Sequence, residues 1–285
     1  MTGSAARRLV VQAPDIETPA LKALAKLAGA TRIDALPGSA DQAFALSPVS
    51  NDSEVSGYCA RAALDCAIVD PGQRLDRVRL LAMDMDSTLI TIECVDEIAD
   101  MLGIKPRVAA ITASAMRGEI DFRESLTRRV ALLAGVDIDA LHRVYDERLE
   151  LSPGAERLLA GMRAVGARSL LVSGGFTFFT ERLKMRLGLD YTCANTLEII
   201  DGRLTGRLIG PIVDAEAKAA CFARLRAELA TDGGLAVAIG DGANDLPMLE
   251  SADISIAYHA KEIVRARATY AIDRCGLDAV LNLFV

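Results

Sequence analysis

The sequence predicts an α/β fold: an open parallel sheet with a helical insertion after its first strand, and a small α+β unit ahead of it. Three observations lead there. Apolar runs at residues 75–82, 169–172 and 235–239 have the length of strands buried on both faces. Amphipathic stretches separate them at the spacing of βαβ units, which implies a parallel sheet. Each run ends in polar residues, namely Asp84-Met85-Asp86-Ser87-Thr88, Ser173-Gly174-Gly175 and Gly240-Asp241-Gly242-Ala243-Asn244-Asp245. Ligands of such sheets bind beyond the carboxyl ends of the strands.

The first 72 residues read as the small α+β unit. Arg8-Leu9-Val10-Val11 is a short strand. Thr18 caps a helix from Pro19, with Leu21, Leu24 and Leu27 on one face. Gly29, Pro37-Gly38 and Pro48 punctuate the segments that follow. A second helical pattern runs through Tyr58, Ala62 and Leu64-Asp65. No cluster of candidate catalytic residues lies here, and Pro71-Gly72-Gln73 marks the linker to a second domain, residues 73–285.

After the first sheet strand the pattern turns helical, an insertion over about 92–151 that would act as a cap. Val95, Ile98, Ala99 and Leu102 keep helical spacing up to Gly103. A helix follows Pro106 and ends near Gly118. Asp121 and Glu124 have the spacing of a capping box. Phe122, Leu126, Arg129 and Leu133 then share one face. Arg129 either snorkels outward with its stem buried or faces a pocket and grips an anion. Pro153 stands at a helix start, and residues 155–165 are amphipathic up to Gly166. The strand at 169–172 stops at Ser173-Gly174-Gly175, and a helix covers 177–187. Residues 196–209 read as an antiparallel hairpin around Asp201-Gly202. Lys218 opens a helix that runs to about Leu229. Residues 254–257 form a further strand after the one at 235–239.

Composition narrows the function. A length of 285 residues suggests about two domains. Hydrophobic residues make up 51% and aromatics 4%, with no Trp, so Ala, Leu, Val and Ile must fill the core. A net charge of −7 without a basic block argues against nucleic acid or an anionic membrane as the main partner. Arg7 and Arg8 are followed by Gln12, Asp15 and Glu17, which is unlike a secretory signal. No apolar run approaches the ~20 residues that span a bilayer. Cys59, Cys66, Cys94, Cys193, Cys221 and Cys275 form no C-x-x-C pair, which fits reduced core thiols and a cytoplasmic location. His142 and His259 are the only histidines and lie in no motif, against a His-rich zinc site.

The polar strand ends carry the chemistry. Side chains alternate along a strand, so Asp84 and Asp86 can face one way. They fit a hard cation, with one carboxylate left free to react. Each part has an ordinary reading on its own. Asp-x-Asp is often a strand end, Ser173-Gly174-Gly175 a turn, and Lys218 a solvated helix lysine. Gly240-Asp241-Gly242 lacks the third glycine of a dinucleotide fingerprint. Together, the acids with a glycine-rich turn and a helix N-terminus suit phosphate plus magnesium.

In this order Asp84-Met85-Asp86-Ser87-Thr88-Leu89-Ile90, Ser173, Lys218 and Gly240-Asp241-Gly242-Ala243-Asn244-Asp245 resemble the four motifs of the haloacid-dehalogenase-like hydrolases. Within that superfamily Glu93, Met116, Phe122 and Arg129 bring the chain nearest to the phosphoserine phosphatases. Val172-Ser173-Gly174-Gly175-Phe176 and Gly188-Leu189-Asp190-Tyr191 resemble them too. The likeness runs from about residue 78 to the C-terminus. The residues before it look like an amino-acid-binding, ACT-like regulatory extension.

The resemblance implies a Rossmann-like core and hydrolysis of O-phosphoserine to serine and phosphate, the last step of serine biosynthesis. Asp84 would attack phosphorus to form an aspartyl phosphate, and Asp86 would serve as acid and then base. Mg²⁺ would be held by Asp84, the Asp86 carbonyl and Asp241. Ser173, Gly174 and Lys218 would hold the phosphoryl oxygens, and Asn244 would orient the substrate. Glu93 would take its ammonium and Arg129 its carboxylate, with Met116 and Phe122 beside them. Ser87, Thr88 and Asp245 would support these groups. A homodimer is compatible with this reading. Another small phosphomonoester, phosphotransfer to another amino acid, and an inactive amino-acid sensor stay open as alternatives.

Overall fold

The chain forms two sheets. The computed structural model describes residues 6–38 and 40–285; the first five residues of the expected N-terminal unit, and Ser39, lie outside them. The first sheet is built by β1 (Arg8–Ala13), α1 (Thr18–Ala28), β2 (Arg32–Ala35), β3 (Gln42–Ser47), α2 (Val55–Arg61) and β4 (Asp65–Val69). Its strands are antiparallel in the order β2-β3-β1-β4. That is the ferredoxin-like β-α-β-β-α-β topology. Strand alternation divides its apolar residues between two cores. Leu9 and Val11 pack with Leu21 and Leu24 of α1 and Cys59 of α2. Val10, Ala67 and Val69 face the other way and join the core of the larger sheet.

Two local expectations change here. Glu17, not Thr18, occupies the cap position of α1 and makes no side-chain cap bond, with Thr18 and Pro19 already in the first turn. The second helix ends at Arg61, and Asp65 opens β4, so Leu64-Asp65 is not helical.

The second sheet begins with β5 (Val78–Met83); residues 75–77 form a tight turn before it. Four helices follow: α3 (Cys94–Met101), α4 (Lys105–Met116), α5 (Phe122–Ala131) and α6 (Asp139–Glu147). The two ends of this insertion meet where Ile90 bridges Leu151 and the Thr91 amide donates to the Glu150 carbonyl at 3.0 Å. Then come α7 (Ala155–Ala164), β6 (Arg168–Phe176), α8 (Thr177–Leu187), β7 (Tyr191–Ile200) and β8 (Arg203–Ile209). The chain continues through α9 (Ala215–Leu229), β9 (Leu235–Gly240), α10 (Leu246–Glu250), β10 (Ile254–Tyr258), α11 (Glu262–Arg265) and β11 (Tyr270–Ile272). Among the described residues no helix is long and apolar enough to cross a membrane.

The strand order is β11-β10-β9-β5-β6-β7-β8, parallel except for β8, which returns as the second arm of the expected hairpin. This is an α/β architecture with a parallel core. The chain starts at β5, builds outward through β6 and β7, then crosses back to lay down β9, β10 and β11 on the other side. The order therefore reverses beside β5, and a crevice opens at the carboxyl ends of β5, β6 and β9.

Two further expectations are adjusted. β6 does not stop at Val172; it runs on through Ser173-Gly174-Gly175 to Phe176 and takes up a register shift against β7 on the way. α9 starts three residues earlier than Lys218, because Asp214 caps it by accepting the Ala217 amide at 3.0 Å. Lys218 consequently sits in the first turn, on the buried side.

Candidate active site

Asp84 follows the last residue of β5, and its amide donates to the Ile239 carbonyl of β9 at 3.0 Å. Its carboxylate is buried and meets Lys218, whose Nζ donates to Asp84 Oδ1 at 2.7 Å and to Asp245 Oδ1 at 2.9 Å. Burial works against the lysine charge, yet the two carboxylates outweigh it and raise the Lys218 pKa. Asp84 is pushed up by burial first and by Asp245 next, against the pull of Lys218. One cation thus faces two buried carboxylates, and the half-buried Asp241 lies beside them.

One oxygen from each of Asp84, Asp241 and Asp245 lies within 4.8 Å of the others. An all-oxygen, acidic set of this kind suits a hard divalent cation. Asp241 is pushed up to about 6 by burial, then by Asp245 and Glu93. Bound positive charge would relieve that crowding. Thr88 Oγ1 donates to Asp241 Oδ1 at 3.3 Å, and Asp245 Oδ2 accepts the Gly242 amide at 3.1 Å.

The loop Met85–Leu89 turns sharply after Asp84, with Ser87 at φ 57°. The turn directs Asp86 back over the strand ends. Its Oδ1 accepts the Cys94 amide at 2.9 Å, which ties it to the first turn of α3. A side chain at position 175 would meet Asp86 Oδ2 at 3.0 Å, so Gly175 leaves room for the carboxyl. Burial, followed by the nearby Glu93 charge, pushes Asp86 up to about 7. A carboxyl near neutrality can both give and take a proton.

β6 contributes Ser173, whose Oγ accepts the Gly175 amide at 2.8 Å. Gly174 lies under the cap, where a Cβ would approach Phe122 Cζ to 3.0 Å. The cap supplies Glu93, Phe122, Leu126 and Arg129 as the roof of a cleft of about 220 Å³, above Asp84, Asp86, Ser173, Lys218 and Asp241. Ser87 Oγ donates to Glu93 Oε1 at 2.8 Å. Arg129 lines this cleft rather than pointing away from it. Burial lowers its pKa, opposed by Asp96, Glu93 and Asp86. Asp121 accepts the Glu124 amide at 2.8 Å, the helix-capping half of the expected box. Asn244 also lines the cleft, its Nδ2 3.4 Å from Asp245 Oδ1.

Met116 is not brought to the cleft. It is the last residue of α4 and is 76% exposed, because that end of the helix points into solvent. Two residues that the sequence reading did not name do belong here. Asn195, on β7, donates from Nδ2 to the Gly174 carbonyl at 2.9 Å and accepts the Val213 amide at 2.8 Å. It thereby fixes the end of β6 against the segment that leads into α9. Lys261, after β10, lines the open side of the cleft. A lone asparagine in a hairpin and a lone lysine before a short helix carry no sequence signal.

The chain is similar to known proteins. Residues 81–250 match the family model of the haloacid dehalogenase-like hydrolases. Residues 9–55 match a domain model of unknown function. The chain is 52% identical over 221 residues to a phosphoserine phosphatase from Polaromonas sp., a match covering 76% of this chain and 94% of that one. A HAD family hydrolase from Salmonella enterica superposes with a TM-score of 0.86 at 35% identity, covering 97% of this chain and 98% of that chain. A phospho-aspartyl intermediate analogue of phosphoserine phosphatase superposes with a TM-score of 0.66 at 35% identity, covering 73% of this chain and 99% of that chain.

Proposed function

We propose, since the chain belongs to the haloacid dehalogenase-like hydrolase family, that its cleft hydrolyses O-phosphoserine to serine and phosphate through a phosphorylated Asp84. The observation that carries the substrate is the pairing of Glu93 and Arg129 on one roof, above the buried Asp84–Lys218–Asp245 cluster. A zwitterionic amino acid bearing a phosphate needs one acid, one base and a phosphoryl site, and these groups supply all three.

In the first step Asp84 attacks phosphorus, and the bond from phosphorus to the serine oxygen breaks. Asp86, protonated near neutrality, gives its proton to that oxygen. In the second step Asp86 takes a proton from water, which attacks the aspartyl phosphate and frees inorganic phosphate and Asp84. Lys218 offsets charge on Asp84 and on the phosphoryl oxygens. The Ser173 hydroxyl and the Gly174 amide hold those oxygens. A divalent cation, Mg²⁺ in this reading, held by Asp84, the Asp86 carbonyl and Asp241, would offset repulsion between carboxylate and phosphate. Thr88 and Asp245 keep that acidic set in place, Asn244 orients the substrate, and Phe122 packs over the Gly174 end of the cleft.

The domain division is part of the same proposal: a regulatory-type unit over residues 1–72 and a catalytic domain over 73–285 with its cap at about 92–151. Among the described residues, all that line the cleft come from Asp84 onward, which supports assigning the chemistry to the second part. An ACT-like role for the first part is tested by calorimetry of the full chain with serine. The main test is phosphate release from a panel of phosphorylated amino acids and sugars, with Mg²⁺ or with a chelator. Phosphoserine should be preferred and the chelator should abolish turnover. Faster turnover of a sugar phosphate would overturn the substrate, and full activity in chelator would overturn the metal.

A further inference from the structure

Three cations line the cleft, and two of them are engaged. Lys218 is 1% exposed and bound to two carboxylates. Arg129 lies on the cap's inner side, with Nε donating to the Ser125 carbonyl at 3.4 Å and acids around it. Lys261 stands on the open side, close enough to Asp241 for its charge to pull that carboxyl down. It is exposed, and among the described residues its ammonium makes no ion pair or side-chain hydrogen bond.

Its backbone is nevertheless held firmly against the site. The Lys261 amide donates to the Asp241 carbonyl at 3.2 Å. Two residues earlier His259 adopts φ 44°, with its amide donating to the Ile272 carbonyl at 2.8 Å and its ring Nε2 3.2 Å from the Cys275 carbonyl. A left-handed conformation at a non-glycine residue is strained and persists only where neighbours fix it. Here it turns the chain from the edge of β10 back to the strand end that carries Asp241. Lys261 thus has an exposed side chain on a fixed base, beside a candidate metal ligand.

Charge explains what it could do there. Asp84, Asp86, Glu93 and Asp241 line the cleft against these three cations. An incoming phosphate dianion meets these acids first, and the buried Lys218 cannot reach out to it. An exposed ammonium at the mouth offers the first favourable contact and raises the local concentration of anions.

We propose that Lys261 is a further substrate-binding residue for the phosphate end: it draws in the phosphate dianion and holds its outward-facing oxygen, for substrate and for product alike. This rests on the phosphatase reading but makes a separate claim. Arg129 should distinguish amino-acid phosphates from other esters, whereas Lys261 should act on any phosphomonoester and on inorganic phosphate.

The test uses the full chain with Mg²⁺, as wild type, Lys261→Ala, Lys261→Gln and Lys261→Arg, with folding checked by thermal melting. KM and kcat are measured for phosphoserine and p-nitrophenyl phosphate, with the inhibition constant of inorganic phosphate, across a range of NaCl. Exposure weakens the pair, so losing the charge should raise both KM values and the phosphate inhibition constant about three- to tenfold. kcat should change little, and the fall of kcat/KM with salt should become shallower. Lys261→Arg should restore all three. Phosphate inhibition and salt dependence equal to wild type would overturn the proposal, leaving a solvated lysine. An effect confined to phosphoserine would overturn it too, by placing Lys261 at the amino-acid end. So would unchanged phosphate affinity with altered Mg²⁺ affinity in equilibrium dialysis. If wild type fails on phosphoserine, the substrate reading falls, while p-nitrophenyl phosphate and inorganic phosphate still decide Lys261.

Discussion

Lys218 is the cation at the bottom of the site. It is fully buried between Asp84 and Asp245, and each of those carboxylates depends on it for compensation. Breaking a buried pair by removing one partner is strongly destabilising, typically by ~3–5 kcal/mol. Lys218→Ala should therefore lose stability of that order in urea unfolding, as well as activity. A loss under ~1 kcal/mol would mean that the two acids shed their charge at little cost. Asp86→Asn separates chemistry from binding. It keeps the acceptor for the Cys94 amide and removes the proton donor, so kcat should fall ~10²–10⁴-fold with phosphate inhibition preserved. A loss of only a few-fold would return Asp86 to the role of a turn cap. Arg129→Ala should cost phosphoserine roughly ten- to a hundredfold in kcat/KM, and p-nitrophenyl phosphate much less. Equal losses on both esters would make Arg129 a packing or closure residue and remove the main support for an amino-acid substrate.

At the scale of elements, one ion pair ties the cap to the helix that carries Lys218. Arg123 in the first turn of α5 reaches Asp214 at 2.5 Å, and Asp214 is also the cap of α9, the helix that carries Lys218. The two roles can be separated. Asp214→Asn keeps a cap acceptor but drops the charge, whereas Asp214→Ala drops both. The Ala variant should lose about 1 kcal/mol, within the 0.5–2 range for N-cap removal, and more kcat than the Asn variant, because the first turn holding Lys218 frays. Equal stability of the two variants in thermal melts would mean that the cap bond does not hold that turn. Arg123 is 56% exposed, so the ion pair itself contributes little stability. The elements also show what sequence could reveal. Buried strands and amphipathic helices were legible because their periods differ, and the strand ends were legible because acids seldom follow such apolar runs. Ser173-Gly174-Gly175 read as a turn because its residues favour turns; these three residues fall within a register shift, and pairing with β7 resumes at Phe176, so the strand continues past them. β11 is three residues long and has too little pattern to read. Met116 was assigned by its place in a motif, and no local signal says which way a helix end faces.

For the molecule as a whole, the open issue is what the N-terminal unit does for the catalytic part. Among the described residues none that lines the cleft precedes Asp84, and the phospho-aspartyl analogue structure is matched over 99% of its length by only 73% of this chain. Chemistry should therefore survive loss of the unit. Stability should not survive intact, because the two sheets share a core through Val10, Ala67 and Val69. The seam is also polar and specific. The Asp65 carboxylate accepts the amides of Asp273, Arg274 and Cys275 at 2.9, 2.9 and 3.1 Å, and Asp41 accepts that of Gly276 at 3.0 Å. Arg8 donates to the Phe284 carbonyl, and Asn282 donates to Gln12 at 3.0 Å. A chain starting at Gln73 would expose these apolar residues and hand the amides to water. The expected loss is about 2–5 kcal/mol, from apolar area at ~25 cal/mol/Å² and hydrogen bonds at about 1 kcal/mol each. Its kcat for phosphoserine should stay near that of the full chain at a temperature where both are folded. The seam borders the turn at His259, so KM should rise if that turn loosens Lys261. Asp65→Ala in the full chain is the sharper probe, because it strands three amides in a seam that stays closed. It should lower the melting temperature with kcat retained. A truncated chain that folds by circular dichroism but releases no phosphate would show that the N-terminal unit completes the site, and the division of labour argued here would be wrong.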